Sequence, residues 1–372
     1  MKEIPVAAPA LDGKEQEYVA EAIRSSWISS SGPFIDRFER EFASLCGTRS
    51  AIAVANGTVA LHAAALALGL RPGDEVIVPS LTYIATANIV RYAGAQPVFV
   101  DVDPKTWCID PRQLEQRVSS RTKGIIAVHL YGHPADMDPI NEIATRYHIW
   151  VLEDAAEAHF ARYKGRLVGS LSAAATFSFY GNKILTCGEG GAITVNDLAL
   201  EQRIRMLRGQ GMDPERRYFF PIIGYNYRLT NIACAILCAQ LERRVQIVSS
   251  RKAIFSLYDE QLSDVPGIGH QPVADWAEPA PWLYCITVSH NRYGRTRDEL
   301  AAILKEGGID SRPFFVPLHR LPPYENISQH HYDLPETDKL AATGLNLPTY
   351  PGLARKDIDR ICELIRKSAV PS

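Results

Sequence analysis

The stretch TFSFYGNKILTCGEGGAITVND places Lys183 between a short apolar run, Ala175 to Phe179, and a glycine-rich turn, Gly188-Glu189-Gly190-Gly191. A lysine that bonds to a carbonyl must first lose its proton. It therefore needs burial or a neighbouring cation to bring its pKa down from the reference ~10.4. Phe177, Phe179 and Ile184 are expected to supply the apolar surroundings, and the glycines to let backbone approach a flat ring. On residue type alone, a solvent-facing lysine before an ordinary β-turn fits as well.

About thirty residues upstream, Trp150-Val151-Leu152-Glu153-Asp154-Ala155-Ala156-Glu157 sets acids at the end of an apolar run. A pyridoxal ring draws electrons only while its nitrogen stays protonated, and a strand-end carboxylate is the usual group that keeps it so. Asp154 is the candidate, with a plain helix cap as the alternative. A third feature is Val54-Ala55-Asn56-Gly57-Thr58-Val59-Ala60-Leu61-His62, a small-residue turn running into an Ala- and Leu-rich helix. The free N–H groups and positive end of such a helix bind phosphate, Gly57 permits close approach, and Thr58 adds a hydroxyl. Many helices begin this way and bind nothing.

The three features in this order narrow the field. From SWISSSGPFIDRFEREFA through NGTVALHAAALALG, GDEVIVPSLTYIATAN, VHLYGHPADMD, LEDAAEA, FSFYGNK, GEGG and YNYRLTN to SRPFFVPLHRLPPYE and NLPTYPGL, the chain resembles the DegT family of sugar aminotransferases. The resemblance implies an α/β, type I fold of the pyridoxal-phosphate-dependent aminotransferases: a large domain with a mixed, mostly parallel sheet and a smaller C-terminal α+β domain. It implies pyridoxal 5′-phosphate as cofactor, with pyridoxamine phosphate formed in turn, and no metal. Lys183 would carry the cofactor, Asp154 would pair with the ring nitrogen, and Glu157 would lie near the phenolic oxygen. Tyr83 would stack on the ring, while Gly57, Thr58 and Ser178 would hold the phosphate. Asn226 would reach that phosphate from the neighbouring subunit of a homodimer. Arg312 and His319 resemble residues lining the sugar side.

FSFYGNK, LRGQGMDPERRYFFPIIGYNYRLTN and SRPFFVPLH resemble the branch that moves an amino group from L-glutamate, leaving 2-oxoglutarate, to C4 of GDP-4-keto-6-deoxymannose. A transferase aminating C3 of another nucleotide keto-sugar, a sugar dehydratase and a non-catalytic regulator are the alternatives. The 3-dehydratase branch has His where this chain has Lys183. Departures from the family pattern are Ser172-Ala173 in place of Gly-Asp, Cys187 in place of Thr or Ser, and His159-Phe160 in place of Leu-Gly. The last pair is expected near the ring.

These residues need strands to hold them. Val76-Ile77-Val78, Pro97 to Val100, Ile125 to Val128, Trp150 to Leu152 and Ala192 to Val195 read as buried strands alternating with helices. Thr230 and Asn231 start a helix whose periodicity runs unbroken through ACAILCAQLERRVQIVSSRKAIFSLYDEQL and is expected to link the domains, 1–245 and 246–372. Amphipathic helices follow around Arg297 to Glu306 and Lys356 to Lys367.

The 372 residues suit two domains, and a net charge of -2 gives no field for nucleic acid or an anionic membrane. Seven scattered cysteines show no metal or disulfide spacing, and neither a leader nor a spanning segment is evident, so a cytoplasmic location is expected.

Overall fold

The computed structural model describes residues 3–325 and 332–370. The apolar runs form a seven-stranded sheet of β1 (Ser50–Val54), β2 (Glu75–Pro79), β3 (Gln96–Val100), β4 (Thr122–Val128), β5 (Trp150–Asp154), β6 (Ala174–Ser178) and β7 (Gly191–Val195). Their order is β1-β7-β6-β5-β4-β2-β3. Neighbours run parallel except β7, which is antiparallel to both β1 and β6. Helices cover both faces of the sheet, so β2 and β6 are buried at every position.

Two helices matter for what lies at the strand ends. α1 (Gly57–Ala67) follows β1 directly, and its Ala-rich body is buried nearly all round. α2 (Ala85–Tyr92) follows β2. Both begin beside the C-terminal ends of parallel strands, the edge at which such sheets place ligands.

Thr230 caps α3 (Asn231–Glu242), its hydroxyl accepting from the Ala233 N–H at 3.2 Å. The long helix expected from there is interrupted. At Arg243 the backbone departs to φ -98°, ψ 4° before α4 (Arg244–Leu262) resumes. Local sequence carries no breaker there. The Arg243 guanidinium instead pairs with Asp12 at 2.7 Å, a contact made with the far N-terminal segment.

Beyond α4, β8 (Ile268–His270), β9 (Tyr284–Val288), β10 (Arg312–Pro313) and β11 (Gly344–Leu347) form an antiparallel sheet in the order β8-β9-β11-β10. Helices Arg297–Glu306 and Arg355–Ser368 lie where amphipathic helices were expected, the first held by a capping box between Thr296 and Glu299. Ile254, Tyr258 and Leu262 of α4 join this second core, as does Ile4 from the N-terminal segment. Among the described residues no helix is long and apolar enough to cross a membrane, and the seven cysteines are free thiols.

The seam between β4 and β5 fixes the acids at the end of β5. Gly124 faces Trp150 across it, and a Cβ at Gly124 would overlap the Trp150 ring. Overpacking of this kind costs about 1–3 kcal/mol. Gly124→Ala is therefore expected to lower the midpoint of thermal unfolding by several degrees, which calorimetry would check.

Candidate active site

A cleft of ≈530 Å³ opens at the C-terminal ends of β1, β4, β5 and β6 and is closed from the other side by Trp282, Leu283, Arg312, Phe315 and Asn346. Of the expected residues, Gly57, Thr58, Tyr83, Asp154, Glu157, Ser178, Lys183 and Arg312 line it. Asn226 and His319 do not.

Lys183 lies in the turn between β6 and β7, its N–H donating to the Tyr180 carbonyl at 2.9 Å. Its amine reaches inward to 3.9 Å from Glu157 Oε1 and 4.0 Å from the centre of the Trp282 ring. Burial pushes the lysine pKa down; Glu157 and Asp154 oppose that shift, and Arg312 adds to it. The apolar wall differs from the expected one. Phe177 and Phe179 pack edge-on against Phe38 and Phe42 in the core, and Trp282 is the aromatic ring that the amine meets.

Strand alternation separates the acids that follow each other in sequence. Glu153 turns away from the cleft, where Gly169 N–H, Leu171 N–H and Ser172 Oγ donate to it at 2.8, 2.8 and 3.2 Å. Ala135 N–H donates to His129 Nδ1 at 2.9 Å, so His129 Nε2 carries the proton it gives to Glu153 at 3.1 Å. Asp154 faces the cleft. Its Oδ2 accepts from Thr86 Oγ1 at 2.9 Å and its Oδ1 from the Ala156 N–H at 3.2 Å. Burial raises its pKa, against the pull of those two donors. Glu157, buried in the next turn, accepts from the Tyr131 N–H at 2.8 Å, and burial pushes its pKa up to about 7.

The end of the cleft at the start of α1 is built from backbone. Asn56 caps α1, its side chain accepting from the Val59 N–H at 3.0 Å and its carbonyl from the Ala60 N–H at 3.1 Å. The donors left at the helix start belong to Gly57 and Thr58. A Cβ at Gly57 would come within 2.9 Å of the Ser178 side chain, so glycine is what lets the helix start meet the end of β6. The glycines after Lys183 serve packing rather than a ring: a Cβ at Gly190 would strike Cys187 Sγ, and one at Gly191 the Asn56 backbone.

Other expected residues lie elsewhere. Asn226 is exposed on the strip that follows Gly209, away from the cleft of its own chain. His319 is buried beneath β2, sharing a 2.7 Å hydrogen bond with Ser80 Oγ. His159 and Phe160, expected near the ring, line a separate void of ≈10 Å³. The His159 ring stacks on Phe177 and Phe179, and burial takes its pKa down to about 3. Thr86, Tyr131, Trp282 and Asn346 were not anticipated. Thr86, the second residue of α2, lies in SLTYIATAN, Tyr131 in VHLYGHPADMD and Asn346 at the start of NLPTYPGL, so each sat in a stretch that carries the resemblance, whereas Trp282 lies outside them all.

A cofactor with a phosphate, a flat basic ring and an aldehyde fits this donor set. Two helix-start N–H groups and Ser178 would suit the anion, a buried carboxylate held by two donors a ring nitrogen, and an amine of lowered pKa the aldehyde.

Comparison with known proteins agrees. The profile described as the DegT/DnrJ/EryC1/StrS aminotransferase family matches residues 9–366. The chain is 51% identical to a GDP-perosamine synthase of Caulobacter vibrioides, covering 96% of each. It is 44% identical to a GDP-perosamine synthase of Escherichia coli O157:H7, covering 99% of each. Among solved structures, S. venezuelae DesV, crystallised in complex with a ketimine intermediate, superposes with a TM-score of 0.91 at 36% identity over 99% of this chain and 98% of that one.

Thr86 donates to the acid that must stay anionic, and a hydrogen bond to a charged group contributes about 1.5–3 kcal/mol. Thr86→Val is accordingly expected to weaken binding of pyridoxal phosphate to the cofactor-free protein by about ten- to a hundredfold. Equilibrium dialysis would check it.

Proposed function

Because the chain belongs to the DegT/DnrJ/EryC1/StrS aminotransferase family and is a pyridoxal-phosphate-dependent aminotransferase, we propose that it moves the amino group of L-glutamate to C4 of a nucleotide-linked 4-keto-6-deoxy sugar, GDP-4-keto-6-deoxymannose, giving GDP-perosamine. The observation that carries the reading is Lys183, a buried amine of lowered pKa set between Glu157 and Trp282 in a cleft that also holds Asp154. The relatives named as GDP-perosamine synthases support the choice of sugar and carrier.

When bound, pyridoxal phosphate supplies an aldehyde and a protonated ring that withdraws electrons from the carbon bearing nitrogen. The chain supplies the rest. Gly57, Thr58 and Ser178 would hold the phosphate, Asp154 would keep the ring nitrogen protonated, and Glu157 would lie near the phenolic oxygen. Tyr83, more than half exposed at the cleft mouth, covers the ring. Once the amino group of L-glutamate had taken its place, the freed Lys183 Nζ would be the base that takes the proton from the amino-bearing carbon and the acid that returns it one position over. The same amine runs the sequence in reverse once 2-oxoglutarate has left and the keto-sugar has entered. Arg312, a cation in the cleft near Lys183, faces the anionic substrate.

The site is completed by a second copy. Asn226 faces away from its own cleft, and Tyr218, Phe219, Phe220 and Ile223 stand exposed on the same strip, Ile223 at 89%. A homodimer that buries this strip would bring Asn226 to the partner's phosphate.

Purified enzyme is to be given L-glutamate with GDP-, dTDP- or UDP-linked 4-keto-6-deoxy sugars, and the product weighed by mass spectrometry. Amination of the GDP sugar is the expected result; product from another carrier alone would overturn the sugar while leaving the transferase. Lys183→Ala is expected to lose both turnover and the near-visible absorbance of bound pyridoxal phosphate. Mixing Lys183→Ala with Asn226→Ala protomers is expected to regain activity as subunits exchange, since each mixed dimer holds one site with both native residues. No regain would argue for a site made by one chain.

A further inference from the structure

The reaction frees Lys183 in each half, and the free amine must stay where it can return a proton. We propose that Trp282 is a positioning residue whose indole face seats the Lys183 ammonium whenever the lysine is not bonded to the cofactor. The proposal rests on Lys183 being the cofactor's lysine.

The contact itself is close. Lys183 Nζ lies 4.0 Å from the Trp282 ring centre, well within the range at which the negative face of an indole attracts a cation. The indole is built in from several directions. It is 3% exposed, and its Nε1–H donates to the Asn182 carbonyl at 2.9 Å, tying the ring to the residue next to the lysine. Arg251 Nη1 donates to the Trp282 carbonyl at 2.7 Å, and Tyr131 stacks beside the ring with planes 18° apart.

One turn sets both neighbours of the amine. Tyr131 is left-handed at φ 51°, a cost a tyrosine bears only where its surroundings demand it. In that conformation its N–H donates to Glu157 Oε2 at 2.8 Å. The following Gly132, also left-handed at φ 92°, accepts from the Ala280 N–H at 2.9 Å and so holds the segment leading to Trp282. A Cβ at Gly132 would overlap the Ala280 carbonyl. Glu157 and Trp282 are thereby fixed on either side of the lysine by the same two residues.

The choice of an aromatic face has a chemical consequence. Another carboxylate in that place would bind the ammonium more strongly and raise its pKa, leaving less free amine to take a proton. An indole attracts the ammonium and cannot take its proton, so the proton stays with Lys183 for return to the substrate. The charged and titratable groups around the amine are Glu157 and Asp154 after β5, Arg312 on β10, His159, and Glu189 in the cleft wall. Trp282 adds to a balance in which Glu157 and Asp154 favour the charged form while burial and Arg312 oppose it.

The test uses the enzyme in its pyridoxamine phosphate form, in which Lys183 is free. The titration midpoint of Lys183 is read from the NMR signal of ¹³Cε-labelled lysine, assigned by its loss in Lys183→Arg. Mono-, di- and trifluorotryptophan placed at position 282 keep the shape of the ring and drain charge from its face. The ammonium loses its attraction, so the midpoint is expected to fall stepwise, by about half to one pKa unit in all. Trp282→Phe, with a weaker face and no Nε1–H, is expected to lower it as well. An unchanged midpoint across the fluorinated series would overturn the proposal. Borohydride reduction of the pyridoxal-phosphate-loaded enzyme distinguishes the premise: label on a different lysine sinks the assignment of Lys183 as the cofactor's lysine, whereas the fluorination series reads the contact directly.

Discussion

An amine cannot be taken out of water beside two carboxylates unless the protein decides how much charge each of the three will carry. Burial opposes ionisation of all of them, raising Asp154 and Glu157 and lowering Lys183, while their mutual attraction works the other way. The balance leaves Lys183 able both to take and to give a proton. Each donor aimed at the group moves that balance: Thr86 and the Ala156 N–H toward an ionised Asp154, the Tyr131 N–H toward an ionised Glu157. The sheet, the strained turn and the start of α2 are the means by which those donors are held in place.

The parts of this arrangement carried by short, continuous chain were legible in the sequence. Asp154 ends β5 and Lys183 lies in the turn that follows β6, and such places are marked by where an apolar run stops. Gly57 was expected for the close approach of a phosphate; the structure adds a second reason, since a Cβ there would come within 2.9 Å of the Ser178 side chain. Sequence order alone leaves Glu153 and Asp154 equivalent. The two-residue period of β5 distinguishes them, sending Glu153 to His129 and Ser172 and Asp154 to the cleft. Ser172, one of the departures from the family pattern, thus has a structural place as a donor to Glu153.

Contacts between distant stretches were not legible, for the same physical reason in each case. Trp282 reaches Lys183 because Arg251 and Gly132 hold its segment there, and none of those residues is near another in sequence. Arg243 interrupts a helix that every local preference would continue, where its charge meets Asp12. His159 and Phe160 follow Asp154 and Glu157 so closely that proximity to a bound ring was the natural expectation. The chain turns at Phe160, left-handed at φ 68°, and carries both side chains behind β6. Glycine tolerates that conformation without cost, which gives a physical reason for the glycine common at this place in the family.

The cleft has two unlike ends, and they explain why reaction and substrate are not equally readable. Its floor is made of buried groups locked by hydrogen bonds, and a family that keeps one chemistry must keep those residues. Its mouth is made of side chains with room to move: Tyr83 and Tyr180 are at least half exposed, and Arg312 stands on a two-residue strand at the edge of the small sheet. Specificity for one sugar over its epimer depends on differences of a few kcal/mol in contacts of this open kind, which different sequences can reach in different ways. A motif can therefore announce the lysine and its acids, whereas the sugar has to be read from how the mouth closes.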